Sequence, residues 1–378
     1  MIKRFLLWSA GILIVLIVIA ILAFRLSPWP SVVLIRHVFS NGDRASEAAL
    51  EKHVPAGIVT RRDLAYGDGK DEVFDLYYPE GTNAPRPTIV WVHGGGFVAG
   101  NKNGIANYMK ILAGRGYTMV AVEYSKAPGA TYPKPVEQVN TALGFLVRHA
   151  GDFKIDPAMI ILAGDSAGAH HASQVALLTT DPHFAHAIRI SPQLQPNQLL
   201  AVLLLSGAFD PSAVNLEGNF GWFLETVLWA YLGRKNFREQ AGFRLMSVTS
   251  QVTVAFPPSF ISSGNGDPLA PQAVALAQKL AGLGVHIETL FFPTDRVPRL
   301  PHEYQFNLDD AAGQEALNRT LAFLGTIPKR TISSNPLPSQ VRSDIRGSKK
   351  ESRRLRSLEP LHTPHFTRSN QREETSGG

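Results

Sequence analysis

The pentapeptide Gly164-Asp165-Ser166-Ala167-Gly168 constrains this chain more than any other stretch. An apolar run, residues 159–163, leads into it and a helix-compatible run, 169–178, leads away, so Ser166 stands at a strand-to-helix turn. A serine on so sharp a turn is held in strained backbone, and side chains two residues to either side would collide with the neighbouring strand and helix. Glycine at 164 and 168 removes that collision. A chain with 32 glycines can produce this pattern by chance, and an idle serine in a Gly-rich turn is the competing reading. What decides between the two is the company the motif keeps.

From about residue 58 to 327 the pattern alternates. Short apolar runs at 73–78, 88–92, 118–122, 159–163, 199–205, 258–262 and 286–291 are separated by stretches with helical spacing, such as 105–113, 135–149, 270–283 and 309–324. Buried strands joined by helices predict an α/β fold, a mostly parallel central sheet with helices on both faces. Ligands of such sheets bind at the carboxyl ends of the strands. Residues 208–247 interrupt the alternation and carry Trp222, Phe223, Leu224, Trp229 and Tyr231; they read as core packing or as a cap insertion over an acyl pocket.

Directly after the run 88–92 comes His93-Gly94-Gly95-Gly96-Phe97. Consecutive glycines let the main chain fold back and aim bare N–H groups into a cavity, which is what a developing oxyanion needs; loss of one such donor typically costs about 3 kcal/mol in the transition state. His93 reads as a structural hydrogen-bonder rather than a base. With Gly100-Asn101-Lys102, the loop 124–128, Tyr132-Pro133-Lys134-Pro135, the GDSAG turn and Gly266-Asp267-Pro268-Leu269, the chain over residues 58–327 resembles α/β-hydrolase-fold serine esterases of the hormone-sensitive-lipase-like and acetylesterase-type carboxylesterase branch.

The resemblance implies a triad of Ser166, Asp267 and His302, with an oxyanion hole from the N–H groups of Gly95, Gly96 and Ala167. Asp267 follows the run 258–262 and so stands at a strand's carboxyl end, although an Asp there could equally cap the helix that follows. His302 lies in a loop stiffened by Pro298 and Pro301, and Ser, Asp, His is the chain order of this fold. The family more often has glycine after this histidine, where this chain has Glu303. His286, the nearest rival, falls inside a strand pattern.

No cysteine is present, which excludes disulfides, thiolate metal sites and cysteine nucleophiles. His170 and His171 are adjacent and diverge by about 100° on a helix, so they cannot chelate one ion together, and the His183 and His186 pair has no third ligand within sequence reach. No metal or other cofactor is expected.

Residues 5–24 are apolar apart from Ser9, and as a helix they span about 30 Å, the thickness of a bilayer's hydrocarbon core. Residues 1–25 therefore read as a transmembrane anchor. They are longer than a signal peptide's apolar region; the flanking charges, Lys3 and Arg4 against Arg25, Arg36 and Arg44, are nearly balanced, and the catalytic domain is expected on the non-cytoplasmic side. Residues 26–57 read as a juxtamembrane linker without chemistry, in which 32–50 could form a short helix. The formal charge of +6 resides wholly in residues 328–378, which hold 11 Lys and Arg against 5 Asp and Glu, whereas residues 1–327 hold 26 of each. That basic tail buries too little to order itself, and nothing in the chain supplies a nucleic-acid-binding platform.

The chain is thus expected to be a membrane-anchored serine hydrolase of carboxylic esters with short acyl groups, acting on a small-molecule ester through an acyl-enzyme. An unperturbed histidine near about 6.5 would make activity rise through roughly pH 6 to 7.5. A lipase, thioesterase or amide hydrolase would use the same residues, and a catalytically silent binding scaffold is the alternative outside enzymes.

Overall fold

The computed structural model describes residues 1–328 apart from Thr82 and Asn215, so the basic tail lies outside the described residues except for Pro328. Eight strands form one sheet: β1 (Ile58–Ala65), β2 (Val73–Pro79), β3 (Arg86–Val92), β4 (Thr118–Val122), β5 (Ile155–Asp165), β6 (Leu199–Leu205), β7 (Ser259–Ser263) and β8 (Ile287–Phe291). Their spatial order is β1-β2-β4-β3-β5-β6-β7-β8. β2 runs antiparallel to β1 and β4, and every other pairing is parallel.

The central strands read as unbroken apolar runs because both faces are covered. Side chains alternate between two layers with the period of two that a strand imposes. Val90, Val92, Val120, Val122 and Leu162 pack with helices Lys134–Arg148 and Ala167–Thr180. Ile89, Trp91, Met119, Ala121 and Ala163 pack with Ala106–Ala113 and Ala311–Thr326 on the other face.

Register brings the carboxyl ends together. Val92 of β3 pairs with Val122 and Gly164, and Asp165 pairs with Leu205, so the chain leaves β3, β4, β5 and β6 at one edge of the sheet. The loops after β7 and β8 join them there. β1 is the strand that the periodicity of the sequence does not announce: Thr60-Arg61-Arg62-Asp63 is polar, partly exposed and interrupted by a register shift, as befits a sheet edge.

Two helices precede the sheet. Ile2–Leu26 has a mean hydropathy of 3.0 in its most apolar window and buries none of its residues. Trp29–Leu50 fills most of the segment read as a linker, and it is docked on the body built around the sheet. Val32, Ile35 and Leu50 are buried. Arg36 donates to the carbonyls of Val98 (2.8 Å) and Ala127 (3.0 Å), and the Glu47 carboxylate accepts from the Asn107 N–H (3.0 Å).

Candidate active site

Ser166 occupies the turn between β5 and helix Ala167–Thr180 with φ 51° and ψ −120°, a backbone region that an L-residue adopts only under constraint. A β-carbon on Gly164 would come within 2.5 Å of the Gly168 main chain, and one on Gly168 within 2.0 Å of the Val92 carbonyl. Both glycines are therefore steric requirements of the turn. The Ser166 N–H donates to the Leu205 carbonyl at 2.9 Å, which fixes the turn against β6.

The structure brings Ser166, His302 and Asp267 together. His302 Nε2 lies 2.9 Å from Ser166 Oγ, and His302 Nδ1 lies 3.0 Å from Asp267 Oδ2. Asp267 also accepts from the Ser263 hydroxyl and from the Leu269 N–H, both at 2.8 Å. Its side chain thus serves the start of the following helix with one oxygen and faces His302 with the other. Burial opposes ionisation of Asp267, but His302 and these donors hold its carboxyl below the usual range.

The loop that carries His302 is stitched to the end of β7. The Gly266 N–H donates to the Leu300 carbonyl at 2.8 Å, the Leu300 N–H to the Asn265 side chain at 2.8 Å, and the Asn265 amide to the Arg296 carbonyl at 2.9 Å. His286, the alternative histidine, stacks on Phe323, away from these residues.

The glycine loop turns back on itself. Gly95 and Gly96 have φ of 122° and 57°, and a β-carbon at Gly95 would meet the Ala99 carbonyl oxygen at 2.2 Å. The Gly94 N–H is engaged by Asp165 Oδ2 at 2.7 Å, whereas Gly96 and Ala167 line one cavity with Ser166. Beneath the loop, His93 joins the Gly94 carbonyl (2.7 Å) to Glu123 (3.2 Å) and stacks on Tyr124. Burial would raise the Glu123 carboxyl, but His93 and Lys126 hold it far below its ordinary value. Lys102 closes the loop's far end through Asp75 (2.6 Å) and Asp63 (2.7 Å). His170 and His171 are wholly buried, and their low basicity follows from that burial.

Two cavities meet at His302. One, of about 240 Å³, is lined by Ser166, Gly96, Phe97, Phe223, Leu224 and Val227 among others. Phe223, Leu224 and Val227 come from helix Gly218–Leu232, inside the insertion 208–247. The other, of about 520 Å³, is lined by Gly94, Gly95, Asp43, Asp165 and Glu303. Phe39 touches both cavities and stacks on Phe223 with ring centres 6.0 Å apart. Phe39 and Asp43 belong to Trp29–Leu50, so the segment read as chemically silent contributes to the walls of the site. The one signal for this in the sequence was the helical spacing of Val32, Ile35 and Phe39, which reads the same for a helix docked on a membrane.

Glu303 went unassigned in the sequence except as a departure from the family pattern. It takes a left-handed backbone, φ 58°, and its Oε1 is 3.7 Å from His302 Nε2. Burial works against the His302 imidazolium, yet Asp267, Glu303 and Asp165 together push its pKa up to about 9. The unperturbed value expected from sequence is therefore corrected upward, because three acidic groups surround one ring.

The BD-FAE family matches residues 74–280, more than half of the chain. The chain belongs to the BD-FAE family. This BD-FAE protein is 28% identical over 320 residues to an acetyl esterase of Salmonella agona (strain SL483), covering 80% of its own length and 91% of the relative's. It is 30% identical over 249 residues to an esterase of Gibberella moniliformis, covering 62% and 74%. Esterase B from Lactobacillus rhamnosis has the same fold, with a TM-score of 0.69 and 22% identity over 89% of this chain and all of that one. A bacterial heroin esterase gives 0.60 and 22% over 77% and 91%. The fold of this BD-FAE protein is the α/β-hydrolase fold.

Proposed function

We propose that this protein hydrolyses carboxylic esters with Ser166 as nucleophile, His302 as general base and acid, and Asp267 as the group that orients the imidazole. That it is an esterase of the α/β-hydrolase type follows from its family and its acetyl esterase relatives. The observation that carries the residue roles is the contact of one imidazole with both partners, Ser166 Oγ at 2.9 Å and Asp267 Oδ2 at 3.0 Å.

Ser166 Oγ attacks the ester carbonyl as its proton passes to His302 Nε2. The tetrahedral oxyanion accepts hydrogen bonds from the N–H groups of Gly95, Gly96 and Ala167. His302 then protonates the departing alcohol, and water, deprotonated by the same nitrogen, releases the acid from the acyl-enzyme. The substrate is a small-molecule ester with a short acyl group. At about 30 Å³ per water-sized group, a cavity of about 240 Å³ holds roughly eight such groups. Helix Gly218–Leu232 acts as the cap of this cavity. Helix Ile2–Leu26 is apolar enough to cross a membrane, and in this reading it is retained as a single-pass anchor with the catalytic domain on the non-cytoplasmic side.

A fluorophosphonate probe tests the reading. The full-length protein should be labelled once, and Ser166→Ala should abolish labelling together with hydrolysis of p-nitrophenyl acetate. Equal labelling of wild type and Ser166→Ala would refute it.

A further inference from the structure

Glu303 combines a positive φ with a carboxyl group that lines a cavity of the candidate site. Its φ of 58° lies in the left-handed region, which a β-carbon disfavours. Such a residue persists only where its surroundings hold it. The Glu303 N–H donates to the Ser206 hydroxyl at 3.2 Å, and the side chain is directed at the residue before the nucleophile.

That residue, Asp165, has its two carboxylate oxygens bound by the Trp91 indole N–H (2.6 Å) and the Gly94 N–H (2.7 Å). The Glu303 carboxyl nonetheless faces it as well. Both side chains converge over Gly94, where an added β-carbon would meet Asp165 Oδ2 at 2.3 Å and Glu303 Oε1 at 2.8 Å. Two carboxyl groups converging in a buried corner cannot both ionise freely, which favours one proton and one negative charge on the pair. That charge is held 3.7 Å from His302 Nε2, on the side of the imidazole away from Asp267.

We infer that Glu303 is a positioning residue for the reaction proposed above, acting through His302. With Asp165 it presents a proton-sharing carboxyl pair to the Nε2 side of the imidazole and stabilises the imidazolium that forms when Ser166 attacks. The pair takes no proton from the substrate. The serine proton goes to Nε2 and from there to the leaving alcohol, while the pair's charge favours the state in which Nε2 carries it. The burial of Asp165 and its neighbour Glu303 keep its carboxyl protonated well above the ordinary range, which agrees with one proton shared.

The other groups facing this pair are His93 after β3, Tyr108 from helix Ala106–Ala113, Tyr124 after β4 and Asp43 from helix Trp29–Leu50. No Lys or Arg lines the cavity into which Glu303 and Asp165 open, among the described residues. The charge on the pair is therefore not neutralised by a cation at that cavity and acts on His302.

The inference rests on the Ser166-His302-Asp267 reading, and the test separates the two. Glu303→Gln keeps a polar side chain beside Asp165 and removes the shared acid; Glu303→Gly removes the side chain and relieves the left-handed backbone. For both, the acid limb of the kcat/KM profile for p-nitrophenyl acetate should move down by about one pH unit, and kcat on the alkaline plateau should fall about tenfold with KM unchanged. Glu303→Gly should at the same time unfold at the wild-type temperature or above. Wild-type limb and plateau in both variants, with the wild type still labelled by the fluorophosphonate, would overturn the role of Glu303 alone. A wild type that takes no label would overturn both readings.

Discussion

At the scale of single residues, the site is held by backbone that its own side chains could not easily choose. Ser166, Ser206 and Glu303 all have positive φ, and all three meet at the carboxyl edge of β5 and β6. Strain of this kind costs on the order of 1–3 kcal/mol per residue and is characteristic of functional turns. The protonation of His302 follows from its neighbours. Its pKa is raised to about 9, and the base must be neutral to accept the serine proton, so kcat/KM should climb as pH rises from 6.5 toward about 9. A profile already flat at pH 7 would contradict that. The same shift stabilises the fold below the unfolded value of 6.5, and this contribution is lost as pH rises through about 9. Ser166 could be singled out in the sequence because glycine spacing leaves a linear trace, and Asp267 and His302 because their loops carry motifs shared with the esterases the chain resembles. The pairing of Asp165 with Glu303 could not, since 138 positions separate two carboxyl groups that only the register of β3 with β5 and the return of the last loop bring together.

At the scale of elements, the parallel strands were legible because complete burial forces continuous apolar runs, as in β4 and β6. β1 was not, because a polar edge strand resembles a loop. Helix Trp29–Leu50 shows a different limit. Its apolar spacing marks a buried face, but a sequence does not say what buries it. The structure answers with Val98, Val227, Asn107 and Phe223, the last stacked on Phe39 of the helix itself. Phe223 also bounds the cavity at Gly96, where a β-carbon would stand 2.8 Å from its ring. Phe223→Ala should therefore enlarge the acyl side. The ratio of kcat/KM for p-nitrophenyl hexanoate over acetate should rise about tenfold, the discrimination that a methylene or two in an apolar pocket can carry. An unchanged ratio would show that this ring does not bound the acyl chain.

At the scale of the whole molecule, a catalytic body with 23 Lys and Arg against 26 Asp and Glu over residues 27–327 follows a helix that leaves its apolar residues exposed from Phe5 to Phe24. By length and composition that helix is apolar enough to cross a membrane. Full-length protein expressed in cells should stay in the membrane fraction after alkaline carbonate extraction and leave it when residues 1–26 are deleted; release of the full-length chain would remove the anchor from the account. Deletion should leave the sheet and its site intact, since Ile2–Leu26 has no buried residue. In the mechanism proposed above, one covalent event at the end of β5 joins these scales. Acid quench of the full-length enzyme during turnover of p-nitrophenyl acetate, followed by peptide mass spectrometry, tests it most directly. The account predicts an acetyl group on Ser166, absent in Ser166→Ala and accumulating when deacylation is slowed at low pH. Turnover without an acetylated Ser166, or with the acetyl group on another residue, would contradict it.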